Sequence, residues 1–199
     1  MSAKSKILDK LRKVETRDIS VPEITDRALF ADYSRENLVD LFKEQLETID
    51  GEFISLDSSD ALKETIKEIA SEEAVILEPG LPGDLSDDTQ FTVCSVQTKN
   101  ELAKFPFAVA RASCLIARTG SAMVEHNKND EFLLSVITDT LILIARKDQI
   151  VASIEEALAD LEETSQYACI ISGPSRTADI EKILVLGAHG PKRLIVIVY

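Results

Sequence analysis

Two runs of this chain, LILIA at 141–145 and LIVIV at 194–198, hold no polar side chain. Successive residues of a strand face opposite sides of a sheet, so a run apolar throughout belongs where both sides are covered. The surrounding texture matches. EFISL (52–56), a helical segment near 59–70 and AVILE (74–78) read as a βαβ unit. CLIAR (114–118), SAMVE (121–125), LILIA, ACIIS (168–172) and LIVIV continue the alternation, with a further helix at 153–163. The expected class is α/β, a mostly parallel sheet with helices on its faces. CLIAR and SAMVE are separated only by Thr119 and Gly120. Two residues cannot make a parallel crossover, so this junction is expected to be a hairpin, with Gly120 supplying positive φ, and the sheet to be mixed.

A chain of 199 residues buries about 70% of its unfolded surface, enough for one compact domain without disulfide or metal staples. The apolar runs fall far short of the roughly 20 residues of a membrane-spanning helix. The start, MSAKSKILDKLRKVE, interleaves lysines with Ile and Leu and lacks the continuous apolar stretch of a secretion signal, so a cytoplasmic location is expected. Cys94, Cys114 and Cys169 lie far apart with no CxxC pairing, which argues for buried thiols over a disulfide framework, a zinc site or a cluster. A formal charge of −13, with no basic stripe interleaved with aromatics, disfavours a nucleic-acid partner.

Ile7, Leu8, Leu11 and Val14 recur at helical spacing, giving a short amphipathic helix before the polar stretch around Pro22. Residues 1–24 are therefore expected to form an N-terminal helix and linker, and 25–199 the α/β domain. The basic excess in residues 1–17 suits either a docking arm or a solvated helix face. Ser34 can cap a second helix with an apolar stripe of Leu38, Leu41, Phe42, Leu46 and Ile49, ended by Gly51. PGLPGDLSDDTQ (79–90) has the composition of an exposed loop, with a lid as the alternative.

The chain spends three of its seven glycines and one of its two histidines within SGPSRTADIEKILVLGAHGPKRLIVIV (172–198). ACIIS is expected as a buried strand, GPSRT as a loop, and Ile180, Ile183 and Leu184 as one side of a short helix that Gly187 ends. Ligands in open α/β sheets lie past the carboxyl ends of strands, where helix N-termini offer free N–H groups. Ser175, Arg176 and Thr177 would suit a phosphate or carboxylate there. Equally, Ser175 or Thr177 caps the helix and Asp179 satisfies its dipole with no ligand at all. His189, between glycines ahead of Pro191, is a candidate general base or a hydrogen-bonded structural residue. Glu125, one strand beyond the hairpin tip, is a candidate carboxylate nucleophile or a surface residue. His126, in HNKNDE, reads as part of a solvated turn. No GxSxG elbow appears, and two separated histidines do not predict a metal site.

ISGPSRTADIEKILVLGAHGPKRLIVIV closely resembles the C-terminal signature of the lactate-utilisation protein C family (LutC/YkgG type), the LUD-domain proteins. IARTGSAMV resembles the family's A-x-T-G-[ST] hairpin, although Arg118 stands where an acidic residue would be expected, and KSKILDKLRKV fits the usual start. The resemblance implies a NagB/RpiA/CoA-transferase-like fold, a three-layer α/β/α arrangement around a mostly parallel mixed sheet. It also implies a place in a bacterial system oxidising L-lactate to pyruvate, beside iron–sulfur partner proteins that hold any redox centre. This chain would bring no cofactor of its own. Carried over by position, the ligand- or partner-facing residues are Thr119, Gly120 and Ser121, then Ser172, Gly173, Pro174, Ser175, Arg176 and Thr177, with Asp179, Gly187, His189 and Gly190. Two functions follow as expectations. One is a non-redox accessory subunit whose loops hold a small anionic ligand or a partner. The other is a free-standing enzyme acting on a phosphorylated sugar, a folate or a CoA ester, with His189 or Glu125 in the chemistry.

Overall fold

The computed structural model describes residues 3–12, 37–82, 85–95, 98–126, 129–159, 161, 167–177, 185–186 and 190–199. The chain divides into two compact units, 1–32 and 33–199. In the first, α1 (Ala3–Arg12) carries Lys10 and Arg12 in its last turn, and Ile7 and Leu8 are exposed. Val14, Pro22, Ser34 and the expected boundary after residue 24 lie outside the described residues.

The second unit opens with α2 (Leu38–Thr48), β1 (Glu52–Ser55), α3 (Leu62–Ala70), β2 (Val75–Leu77) and β3 (Phe91–Val93). It continues through α4 (Lys99–Leu102), β4 (Phe107–Arg111), β5 (Cys114–Ile116), β6 (Ser121–His126), α5 (Asn129–Ile137) and β7 (Thr140–Ala145). It closes with β8 (Ile150–Val151), α6 (Ile154–Ala159), β9 (Tyr167–Ile171), β10 (Arg176–Thr177), β11 (Val185–Leu186) and β12 (Arg193–Val198).

Among the described residues, six strands form a wholly parallel sheet in the order β1-β12-β7-β4-β2-β3. The two fully apolar runs sit near its middle. β12 lies between β1 and β7, with Ile195 opposite Ile142 and Val196 opposite Leu143. Alternation along each strand then sorts the core into two clusters. Leu141, Leu143, Leu194 and Val196 face α2, α5 and a second sheet, whereas Ile142, Ile144, Ile195 and Ile197 face α3 with its Leu62, Ile66 and Ala70. Each of these residues is at most 1% exposed, and burying a side chain of this size contributes about 1.5–3 kcal/mol.

The second sheet, in the order β8-β5-β6-β9, holds the expected hairpin: β5 and β6 are antiparallel, with Ile116 opposite Ser121. Gly120 adopts φ +60°, as the turn requires. The fold is thus α/β with a mostly parallel arrangement, and the mixed pairing is confined to this smaller sheet. One of its faces, through Leu115, Ala117, Ala122 and Val124, packs into the main core; the other carries Cys114, Ile116 and Met123 under Ala157 of α6. ACIIS, expected as buried, is instead the half-buried edge strand β9. Arg176 and Thr177, expected at the start of a helix, form a short ribbon with Val185 and Leu186.

Candidate functional site

The registers fix which way each strand points, and so divide the molecule into two edges. The main sheet has an amino edge at Glu52, Phe107, Thr140 and Arg193 and a carboxyl edge at Ser55, Arg111, Ala145 and Val198. β5 leaves the carboxyl edge, where the Ala112 N–H donates to the Ile144 carbonyl at 3.0 Å. β6 runs back toward it. The hairpin tip at one end of β6 and His126 at the other are therefore separated by the strand's length, roughly 17 Å.

At the amino edge, three of the expected segments meet beside the end of α2. Gly120 lies so close to that helix that a Cβ would stand 2.3 Å from the Leu46 nitrogen. Gly173, at φ +77°, has the same relation to the Ile49 carbonyl, at 2.5 Å. The Ser121 hydroxyl donates to the Thr119 carbonyl at 3.3 Å and lies 2.7 Å from the Ser172 hydroxyl, which then supplies the second proton. The Ser175 N–H donates to the Pro191 carbonyl at 2.8 Å, and Gly190 packs against the Ser175 Cβ. Arg176 donates to the Ile49 carbonyl at 2.9 Å and pairs with Asp50. Close by, Arg193 holds Glu52 through two N–H groups, one at 2.7 Å. That guanidinium holds the Glu52 carboxyl below the ordinary glutamate range.

Thr119, Gly120, Ser121, Ser172, Gly173, Ser175 and Gly190 are thus neighbours, with Pro174 in the same turn and Arg176 tied to α2. Thr119, Ser172 and Arg176 are exposed, while Gly120, Ser121 and Gly173 are buried. Asp179, Gly187 and His189 lie outside the described residues. Glu125 is elsewhere: it pairs in register with Ala168, roughly 13 Å of strand from Ser121.

The carboxyl edge holds a cluster that the sequence reading did not single out. β2 and β4 are neighbours in the main sheet; the chain passes from β2 to β3 within that sheet and from β4 into β5 of the second sheet. Glu78 follows β2 directly. Its Oε2 accepts the Arg111 backbone N–H at 2.6 Å, and its own N–H donates to the Val109 carbonyl at 2.8 Å. The Arg111 guanidinium donates to the Gly80 carbonyl. Behind Glu78, the His126 Nδ1 stands 3.7 Å from its Oε1, with side-chain exposures of 0% for the histidine and 13% for the glutamate. The His126 Nε2 lies 3.3 Å from the Oγ of Ser135, a buried residue of α5. His126 is therefore not in a solvated turn. The signal was present in the alternation of β6, which points His126 the same way as the core residues Ala122 and Val124.

An open groove of about 530 Å³ at the amino edge is lined by Lys67, Glu72, Asp88, Gln90 and Thr92 among others. Its polar groups bind one another: Lys67 donates to Asp88 at 2.8 Å, and the Gln90 amide donates to the Ser71 and Glu73 carbonyls.

The chain is 24% identical over 192 residues to lactate utilization protein C of Anoxybacillus flavithermus, covering 86% of this chain and 84% of that protein. It is 26% identical over 208 residues to the protein of the same name from Bacillus subtilis, covering 90% and 87%. The crystal structure of a DUF162 family protein from Deinococcus radiodurans shares the fold, with a TM-score of 0.66 at 24% identity over 83% of this chain and 98% of that one. The profile of the LUD domain matches residues 39–199, and the chain belongs to the LUD domain family.

Proposed function

We propose that this protein is a non-redox component of an L-lactate utilisation system, working in the cytoplasm beside iron–sulfur proteins. The observation that carries this reading is membership of the LUD domain family, together with the likeness over most of the chain to proteins named lactate utilization protein C. Oxidising lactate to pyruvate removes two electrons, and the three scattered cysteines of this chain lack the spacing of a cluster-binding motif. On this reading the electrons pass through the partner proteins. The amino-edge group of Thr119, Ser172 and Arg176, with the turn residues Gly173, Pro174 and Ser175, is the surface this reading assigns to a partner or a small anionic ligand. Asp179, Gly187 and His189 belong to the same assignment through the family signature alone.

The test is native copurification. The untagged protein, taken from cells grown on L-lactate, is expected to elute with iron–sulfur proteins, and deleting its gene to abolish growth on L-lactate. Elution alone, with turnover of a phosphorylated sugar, a folate or a CoA ester, would replace this reading with that of a free-standing enzyme.

A further inference from the structure

Among the described residues the exposed large apolar side chains are grouped: Ile154, Leu158 and Leu161 lie on or just past α6, Ile7 and Leu8 lie on α1, and Val93 stands apart. Positions 154, 158 and 161 fall on one side of a helix. Next to them Ala157 turns inward onto Cys114, Ile116 and Met123 of the second sheet, with Val151 and Ile170 half-buried beside that cluster. The stripe thus extends an apolar face that this short helix does not close, and apolar exposure grouped in this way marks a contact with another protein. α1 carries a matching pattern. Ile7, Leu11 and Val14 repeat in the sequence the spacing of 154, 158 and 161, four residues and then three.

Charge selects the occupant. Residues 154–163 hold Glu155, Glu156, Asp160, Glu162 and Glu163 and no basic residue, whereas residues 1–17 hold Lys4, Lys6, Lys10, Arg12, Lys13 and Arg17 against Asp9 and Glu15. Lys4 and Lys10 are exposed and, by helical spacing, flank the stripe that Ile7 begins. Packing α6 on α6 of another copy would set acid against acid. We propose that the α6 face docks the basic helix α1 of a second copy of this chain, apolar stripe on apolar stripe, with the lysines toward the bordering acids. The exchange is reciprocal, so two copies close into a two-fold dimer held by two such contacts. Each stripe is exposed on the single chain, and a second copy covers both at once. The basic start of the chain is then a docking arm, independently of the lactate-utilisation reading.

The experiment is sedimentation equilibrium of the full chain at about 0.15 M salt, where a screening length of about 8 Å mutes the repulsion between two net-negative chains but not the pairing of groups in contact. The parent is expected at twice the 21.9 kDa of one chain. Ile7→Ser and Leu158→Ser, both at exposed positions, are each expected to weaken dimerisation about tenfold or more, because an aliphatic side chain is no longer taken out of water. Reversing the arm with Lys4→Glu, Lys6→Glu and Lys10→Glu sets acid against acid in both contacts. Reversing the other side with Asp160→Lys, Glu162→Lys and Glu163→Lys sets base against base. Each triple variant is expected to be monomeric alone, and an equimolar mixture to dimerise, since both contacts are then matched. A monomeric parent, Ile7 or Leu158 variants that dimerise like the parent, or a mixture that stays monomeric would overturn the proposal. So would an arm-reversed variant as dimeric as the parent, which would place the contact on a surface other than α1.

Discussion

At the scale of single residues, Gly120 joins backbone conformation to packing. Its φ of +60° disfavours any side chain, and the missing Cβ is the space into which the Gln45–Leu46 peptide of α2 fits. Gly120→Ala therefore meets both a strained dihedral and a contact that only movement of a helix can relieve. A loss of about 2–4 kcal/mol is expected from denaturant titration. The pair of Glu52 and Arg193 shows a weaker effect with a definite sign. The folded state lowers the Glu52 pKa, chiefly through its bonds to Arg193. Its contribution is thus present above the ordinary glutamate range, near pH 4.3, and disappears as pH falls through the folded value. Both side chains are more than 40% exposed, so solvent screening limits the pair to roughly 0.5–1 kcal/mol. Urea titrations of Glu52→Gln should show that deficit at pH 7 and its decline as the pH falls below the ordinary glutamate range.

At the scale of elements, cost follows position in the sheet. Ile142 in β7 is wholly buried between strands β4 and β12, so Ile142→Ala is expected to cost about 2–5 kcal/mol by thermal or chemical denaturation. Val93, on the edge strand β3 and 40% exposed, should tolerate Val93→Ala within about 0.5 kcal/mol. Position in the sheet also marks how far the sequence could be read. LILIA and LIVIV announce themselves because both faces are buried and every residue is apolar. β4, equally central, was missed: FAVAR follows Pro106 and ends in Arg111, so only Ala108, Val109 and Ala110 form its buried segment. α5 was missed because its sequence begins in the polar run HNKNDE, and apolar residues start only at Phe132. The hairpin was legible, since two residues permit nothing else. The sheet it joins was not, because that depends on pairing with β8 and β9, far along the chain. The same limit applied to the sites. Glycine content marked the amino-edge turns, but Glu78, Arg111 and His126 are separated by up to 48 positions (126 − 78) and meet only through the topology.

At the scale of the whole molecule, charge and connectivity govern behaviour. With a formal charge of −13 and a pI near 4.6, the protein repels itself at neutral pH. Light scattering across pH should locate the solubility minimum close to that pI and show aggregation suppressed by pH 7. Connectivity sets a different limit. Strand β12 is the last to appear in the chain, yet it fills the gap between β1, the first, and β7. Deleting residues 193–199 removes an interior strand and leaves two open flanks, so the shortened protein is expected to partition into the insoluble fraction on expression. During synthesis the same vacancy exists in every molecule. A ribosome adding about 5–20 residues per second holds an unfinished slot for many seconds after β1 has emerged. Nascent chains of this protein must therefore stay shielded from one another, or from any stray strand that fits, until residue 198 has cleared the exit tunnel.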